Sequence, residues 1–223
     1  MKTIQPHWPA PQRVHAYTTT RLMGNLAIQQ NRDELKEKLQ LPNEPLWLMQ
    51  THSAIVLNEQ ETLNNRNADA LYTNKTQQVC VILTADCLPI LLCDQAAQEI
   101  AAVHAGWRGL VNGIIENTLQ KFTAPSETLL AWIGPHISAT QYEIGADVRN
   151  ILLEKAIQID DAIQPHRDRW LANLSLIASR ILQQQGIKSV YISDYCTFQD
   201  KNFFSYRRDG EKAGRQASLI WLA

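Results

Sequence analysis

Apolar side chains along the chain gather into short runs separated by polar turns, and the period of each run assigns an element. Runs at 14–19, 46–49, 79–83, 90–93, 99–104, 129–133, 190–193 and 217–222 have the length and residue types of strands. Several are apolar on both alternating faces, the pattern of strands covered on both sides. Four stretches repeat at helical spacing instead. The stretch 31–39 is charged and ends before Pro42. In 110–122, the residues Leu110, Val111, Ile114, Ile115, Leu119 and Phe122 form one stripe. The stretch 147–157 opens at Asp147, an N-cap residue type, with Val148, Ile151, Leu152 and Ala156 on one side. In 171–184 the stripe is Leu174, Ile177, Ala178, Ile181 and Leu182, and Gly186 supplies a stop. Strands alternating with helices predict an α/β (α+β) domain, mixed sheets covered by helices.

The chain has 223 residues, no internal repeat and no Gly-, Pro- or Ser-rich linker, so a single domain over 1–223 is expected. Hydrophobic residues make up 45% and charged residues 19%, a balance that excludes a disordered chain. Lys plus Arg is 21 against 22 for Asp plus Glu, which leaves no basic surplus for a dedicated nucleic-acid binder. The longest near-continuous apolar stretch, 79–93, is broken by Asp86 and Pro89 and falls short of the roughly 18 to 20 residues a membrane span needs. The N-terminus lacks the apolar run of a signal peptide, so a cytoplasmic protein is expected. In that reducing compartment Cys80, Cys87, Cys93 and Cys196 are expected as free thiols, metal ligands or nucleophiles, the plainest alternative being small buried hydrophobes.

Three segments place reactive side chains beside turn-forming residues at the ends of strand-like runs: Gln50-Thr51-His52-Ser53, Thr84-Ala85-Asp86-Cys87-Leu88-Pro89 and Val103-His104-Ala105-Gly106-Trp107-Arg108-Gly109. His52, Cys87 and His104 lie 35 and 17 positions apart, which is not zinc-finger spacing, so the residue types alone carry the argument. Two imidazoles and one thiolate make a three-ligand zinc set with the fourth tetrahedral position open. The plainer reading is two hydrogen-bonded histidines and a buried cysteine. A further reading makes Cys87 a nucleophile, His52 or His104 its base and Asp86 the group that orients the imidazole. Arg207, Arg208 and Arg215 fall within nine positions among aromatics and glycines, a pattern that suits phosphate or a nucleoside and equally a solvated loop. Arg21, after three threonines, is a further anion-binding candidate. Glu143 reads either as a catalytic group or as an acid at a helix N-terminus, and His7, His15 and His166 read as surface residues.

These segments resemble a family long described as polyphenol oxidases or multicopper laccase-domain proteins (YfiH-like), and now as purine nucleoside phosphorylases. The matching residues begin with Thr19-Thr20-Arg21, Gln50-Thr51-His52, the segment Ala68-Asp69-Ala70-Leu71-Tyr72-Thr73, and Thr84-Ala85-Asp86-Cys87-Leu88-Pro89. They continue with His104-Ala105-Gly106-Trp107-Arg108-Gly109, Ile133-Gly134-Pro135, Tyr142-Glu143-Ile144-Gly145, Cys196-Thr197, Phe203-Phe204-Ser205-Tyr206-Arg207-Arg208 and Gly214-Arg215-Gln216. The resemblance implies a layered α/β sandwich and a metal site of His52, Cys87 and His104. It also implies phosphorolysis of adenosine, inosine and S-methyl-5'-thioadenosine, with deamination of adenosine as a side activity. On that reading Arg21, Arg207, Arg208 and Arg215 are candidates to hold phosphate, and Arg108 serves the same end or braces its loop. The implied partners are small nucleosides and phosphate, the implied metal zinc or copper, and a monomer or weak homodimer is expected. Two features depart from the family pattern. A loop is missing after Arg21, which puts one wall of the substrate site in question, and His136 stands where the family often has Cys.

Competing classes are separable. A multicopper phenol oxidase needs paired imidazoles, typically His-x-His, and this chain has six His with no such pair. A Cys-His hydrolase or amidase acting on a cell-wall precursor would use Cys87 as its nucleophile. A non-enzymatic binding module would have no open metal position.

Overall fold

A computed structural model of the chain describes residues 2–154 and 159–223. Two sheets stack face to face. The larger runs in the order Ser189–Ile192, Leu129–Ile133, Leu88–Asp94, Ile100–Ala105, Ala70–Thr73 and Val56–Leu57. Its two outer pairings are parallel and its three inner ones antiparallel. The smaller sheet, antiparallel throughout, runs Thr3–Ile4, Val14–Thr19, Gln216–Leu222, Cys80–Thr84.

Alternation along the strands divides the core into layers. Between the sheets, Ile82, Ile220 and Leu222 meet Leu91, Ala102, Leu130 and Trp132. On the far face of the larger sheet, Ile90, Leu92 and Val103 pack on Ile114 and Ile115 of one helix and Ile177 and Ile181 of another. On the far face of the smaller sheet, Val81, Leu219 and Trp221 pack on Met23, Leu26 and Leu35. The result is the expected α/β sandwich, with helix Gln29–Leu39 on one outside and helices Ile114–Leu119 and Leu174–Gln184 on the other. The strand Leu88–Asp94 is buried at every position, as its two-sided apolarity requires. No helix among the described residues is long and apolar enough to cross a membrane.

Several expected elements differ. Residues 46–49 form no strand, only isolated bridges from Leu46 to Cys80 and from Met49 to Asn67. The stripe at 110–122 is split into helices Trp107–Val111 and Ile114–Leu119, because Gly113 between them adopts φ +87°. Residues 171 and 172 belong to strand Arg169–Ala172, and helix Leu174–Gln184 starts after Asn173, whose side chain accepts from the Leu176 N–H at 3.0 Å. That helix ends as expected: Gly186 has φ +93°, and the Ile187 N–H returns to the Leu182 carbonyl at 3.0 Å. The helix expected at 147–157 spans Ala146–Glu154, and positions 155–157 lie outside the described residues. A small sheet of Ile163–His166, Arg169–Ala172 and Glu143–Ile144 was not foreseen. It places Glu143 in a strand, its carboxylate 3.5 Å from Arg169 Nε, while Asp147 is the acid in the helix's first turn. His15 is half-buried against Trp221, with ring centroids 5.2 Å apart.

Candidate active site

Strand register explains how residues distant in sequence meet. Leu88–Asp94 and Ile100–Ala105 are antiparallel neighbours, with Leu88 opposite Ala105 and Pro89 opposite His104. Cys87 precedes the first of these strands, and His104 is the penultimate residue of the second, so one sheet end carries both. His104 shares the parity of Ile100 and Ala102 and faces the neighbouring sheet. On its other side the strand Ala70–Thr73 pairs Ala70 with Val103, which sets Asp69 beside His104. The His52 loop arrives next to Asp69 because it leads into the edge strand Val56–Leu57.

The ligand atoms of His52, Cys87 and His104 lie within 4.8 Å of one another, the one such group of His, Cys, Asp or Glu among the described residues. Cys87 Sγ is 3.8 Å from His52 Nε2, and the two imidazole rings are 4.8 Å apart at 72°. A tetrahedral zinc with Zn–S of about 2.3 Å and Zn–N of about 2.1 Å separates S from N by roughly 3.6 Å, close to the 3.8 Å between Cys87 Sγ and His52 Nε2. His104 Nδ1 is 2.7 Å from the Asp69 carboxylate. A carboxylate only accepts, so Nδ1 carries a proton and Nε2 is the nitrogen left to meet a metal. Burial pushes the Cys87 thiol up, but His104 and His52 outweigh it and lower its pKa. Burial pulls His104 down, but the Cys87 sulfur and Asp69 outweigh it and raise its pKa.

The sequence marks Asp69 only as part of a motif. Besides His104, its wholly buried carboxylate accepts from the main-chain N–H groups of Thr51, His52 and Ser53 at 3.2, 3.0 and 2.6 Å, and from the Ser53 hydroxyl at 2.7 Å. Burial pushes its acid up, yet these donors hold it down at about 2. They also hold His52 at φ +60°, a left-handed conformation that costs a non-glycine residue about 1–2 kcal/mol. The available signal was an acid immediately ahead of a wholly buried strand.

Asp86 was expected to orient an imidazole. Its carboxylate instead accepts from the Thr197 hydroxyl at 2.7 Å and the Arg207 N–H at 2.6 Å, which ties the cysteine loop to the arginine segment. His136 lies outside the ligand group: it is buried, its Nδ1 donates to the Gly134 carbonyl at 2.8 Å, and burial lowers its pKa.

The three candidate ligands line a cleft of about 650 Å³. Trp107, Tyr142 and Tyr206 add aromatic surface, and Arg108, Arg207 and Arg215 add positive charge. The expected arginines therefore divide. Arg207 donates to the Glu143 carbonyl at 2.9 Å and stacks over Tyr142, and Arg108 stacks over Trp107. Arg215 Nη1 donates to the Ala213 and Gly214 carbonyls at 2.8 and 3.0 Å. Arg21 and Arg208 are not cleft residues. Arg21 pairs with Asp209, donates to the Phe203 carbonyl and stacks over Phe204. Arg208 is spent on the carbonyls of Thr197, Phe198 and Phe203 and on Asp209. The short segment after Arg21 forms a one-turn 3-10 helix, Arg21–Met23, and delivers Ala27 to the cleft wall. Asn25 Oδ1 accepts from the N–H groups of Ala27 and Arg215, which joins this segment to the basic wall.

Gly106 is required by close approach. A Cβ there would lie 3.0 Å from both Cys87 Sγ and His52 Cδ2, while φ −78° suits any residue. Gly106→Ala is therefore expected to spread the ligands without disturbing the backbone. Zinc affinity should fall about 10-fold, the lower end for changes behind a metal ligand, with an unchanged circular dichroism spectrum. Titration against a competing chelator checks this.

The family model described as "Multi-copper polyphenol oxidoreductase laccase" matches residues 24–223. A purine nucleoside phosphorylase of Haemophilus influenzae is 42% identical over 248 residues, covering all of both chains. That alignment is longer than this chain of 223 residues, so the relative has stretches without a counterpart here. Purine nucleoside phosphorylase YfiH of Escherichia coli is 38% identical over 99% of each chain. The crystal structure of a Neisseria meningitidis protein of the DUF152 family superposes with a TM-score of 0.91 at 36% identity, covering 100% of this chain and 99% of that one. YlmD from Geobacillus stearothermophilus shares the fold, with a TM-score of 0.87 at 21% identity over 100% of this chain and 96% of its own. The match along nearly the whole chain, with a His-Cys-His cluster lining its cleft, makes this protein a member of the laccase-like DUF152/YfiH family.

Proposed function

We propose that the protein is a zinc-dependent purine nucleoside phosphorylase that accepts adenosine, inosine and S-methyl-5'-thioadenosine, with adenosine deamination as a side activity. The observation that carries this reading is the placement of the His52, Cys87 and His104 donors in one cleft with three arginines and three aromatic side chains. The names of the relatives agree with its coarser part, a purine nucleoside phosphorylase.

In phosphorolysis a phosphate oxygen attacks the sugar carbon that carries the base. The glycosidic bond breaks, its electrons leave with the purine, the purine gains a proton, and ribose 1-phosphate forms. Arg207, Arg215 and Arg108 supply the charge and the donors that hold phosphate against the sugar. The ring faces of Tyr206 and Trp107 offer a surface on which a flat base can stack. His52, Cys87 and His104 would hold zinc, which would supply Lewis acidity at the cleft wall, the chemistry that deamination of a purine requires. Copper competes for the same N and S donors.

Metal analysis of purified protein, followed by incubation with adenosine and phosphate, tests the reading. Adenine with ribose 1-phosphate is the expected product pair, and inosine marks the side activity. Oxygen uptake with a phenol on zinc-loaded protein, without nucleoside turnover, would favour the oxidase reading instead. The contact of Cys87 Sγ with His52 Nε2 favours one other reading, a Cys-His hydrolase. Alkylation of Cys87 that zinc blocks and substrate leaves unaffected counts against it.

A further inference from the structure

One carboxylate touches both imidazole-bearing segments. Asp69 Oδ1 accepts from His104 Nδ1 at 2.7 Å and from the His52 N–H at 3.0 Å, while Oδ2 accepts from the N–H groups of Thr51 and Ser53 and the Ser53 hydroxyl. We propose that Asp69 is a positioning residue that assembles the metal site before the ion arrives, setting the tautomer of one ligand and the backbone of the loop that bears another. The proposal rests on the zinc reading above and names a residue that acts only through His104 and His52.

Two independent pieces of geometry support it. Register places Asp69 beside His104 on the inter-sheet face, where the carboxylate is wholly buried and meets the inward ring nitrogen. The opposite nitrogen, Nε2, is left for the cleft, where His104 shares a wall with Cys87. The second piece is the convergence of three consecutive main-chain N–H groups on this one side chain. They belong to a loop whose preceding residue, Gln50, is fastened separately to the main chain of Leu83. His52 is itself exposed and stands in a left-handed conformation, so burial does not hold it in place. Removing the carboxylate frees the loop to relax and frees His104 to turn or to change tautomer. In either case the ligands must be reassembled at the expense of binding.

Asp69→Asn is the main test, because it keeps the size of the side chain but turns one acceptor into a donor. One of the two sets of N–H and O–H partners must then face an NH₂ group. Zinc affinity, read by competition with a chromophoric chelator on the full-length protein, is expected to fall about 10- to 100-fold. Thermal unfolding of the metal-free variant shows separately that it folds. A folded Asp69→Asn variant that binds zinc as tightly as wild type overturns the proposal, even with a lowered unfolding midpoint, since a merely structural role would move only the midpoint. Ser53→Ala removes one donor without touching a ligand and is expected to weaken zinc by a smaller factor. If Asp69→Asn does not fold, unchanged affinity in Ser53→Ala overturns the proposal. Wild-type protein that binds no zinc overturns the metal reading itself, a result distinct from failure of Asp69 alone.

Discussion

Alanine in place of His52 is expected to abolish stoichiometric zinc and phosphorolysis together. Three donors already leave one tetrahedral position open, and two cannot hold the ion against water and buffer. Loss of an outer-shell partner costs up to about 100-fold in affinity or activity, and loss of a ligand should exceed that. His52 is exposed, and its fixed part is a main-chain N–H that alanine retains, so the fold should survive. The variant should unfold at nearly the wild-type temperature in the absence of metal, carry no zinc on elemental analysis, and release no ribose 1-phosphate. Full nucleoside cleavage by zinc-free His52→Ala protein would separate metal from mechanism.

Arg207→Ala and Arg208→Ala, adjacent in sequence, are expected to fail in different ways. The Arg207 guanidinium faces the cleft and spends one nitrogen on the Glu143 carbonyl. Its loss removes charge-assisted hydrogen bonds worth about 1.5–3 kcal/mol, or roughly 10- to 150-fold in kcat/KM for phosphate. Zinc content should not change, because the contact between Asp86 and residue 207 is to the main-chain N–H. Arg208 is consumed within the protein by three carbonyls and Asp209. Alanine there takes the side-chain donor from the Thr197 and Phe198 carbonyls, while Phe203 and Asp209 keep Arg21, so the cost should appear in the unfolding midpoint and not in the KM for phosphate. Steady-state kinetics with varied phosphate, run beside thermal unfolding on both variants, decide the matter. An equal rise in KM for both would mean that the arginine segment acts as one flexible unit.

The three metal-ligand candidates were legible because the chemistry lies in residue types that turn-forming neighbours set at strand ends. Their meeting was not, since separations of 35 and 17 positions say nothing about register. Asp69 was hidden for the same reason: its role depends on lying across from His104, which the pairing of Ala70 with Val103 decides. The arginines show the opposite failure. Charge and aromatic spacing treated Arg207, Arg208 and Arg215 alike, with Arg21 a further candidate, but hydrogen bonds that Arg21 and Arg208 donate to carbonyls more than one turn away removed both from the cleft. Asp86 was placed correctly beside Cys87 and assigned the wrong partner, because its acceptors are used by residues over 100 positions away.

By itself the sequence determined the layered character of the fold. Two-sided apolar runs demanded buried strands, one-sided stripes demanded covering helices, and Gly186 ended a helix where its φ of +93° allowed. These are local properties, set within one or two turns by periodicity and backbone sterics. Tertiary structure alone decided which reactive groups share a cleft, which carboxylate supports which imidazole, and which arginines remain free to meet a ligand. Those outcomes depend on strand order and register, which arise from the packing of the two sheets on each other and leave no periodic trace along the chain.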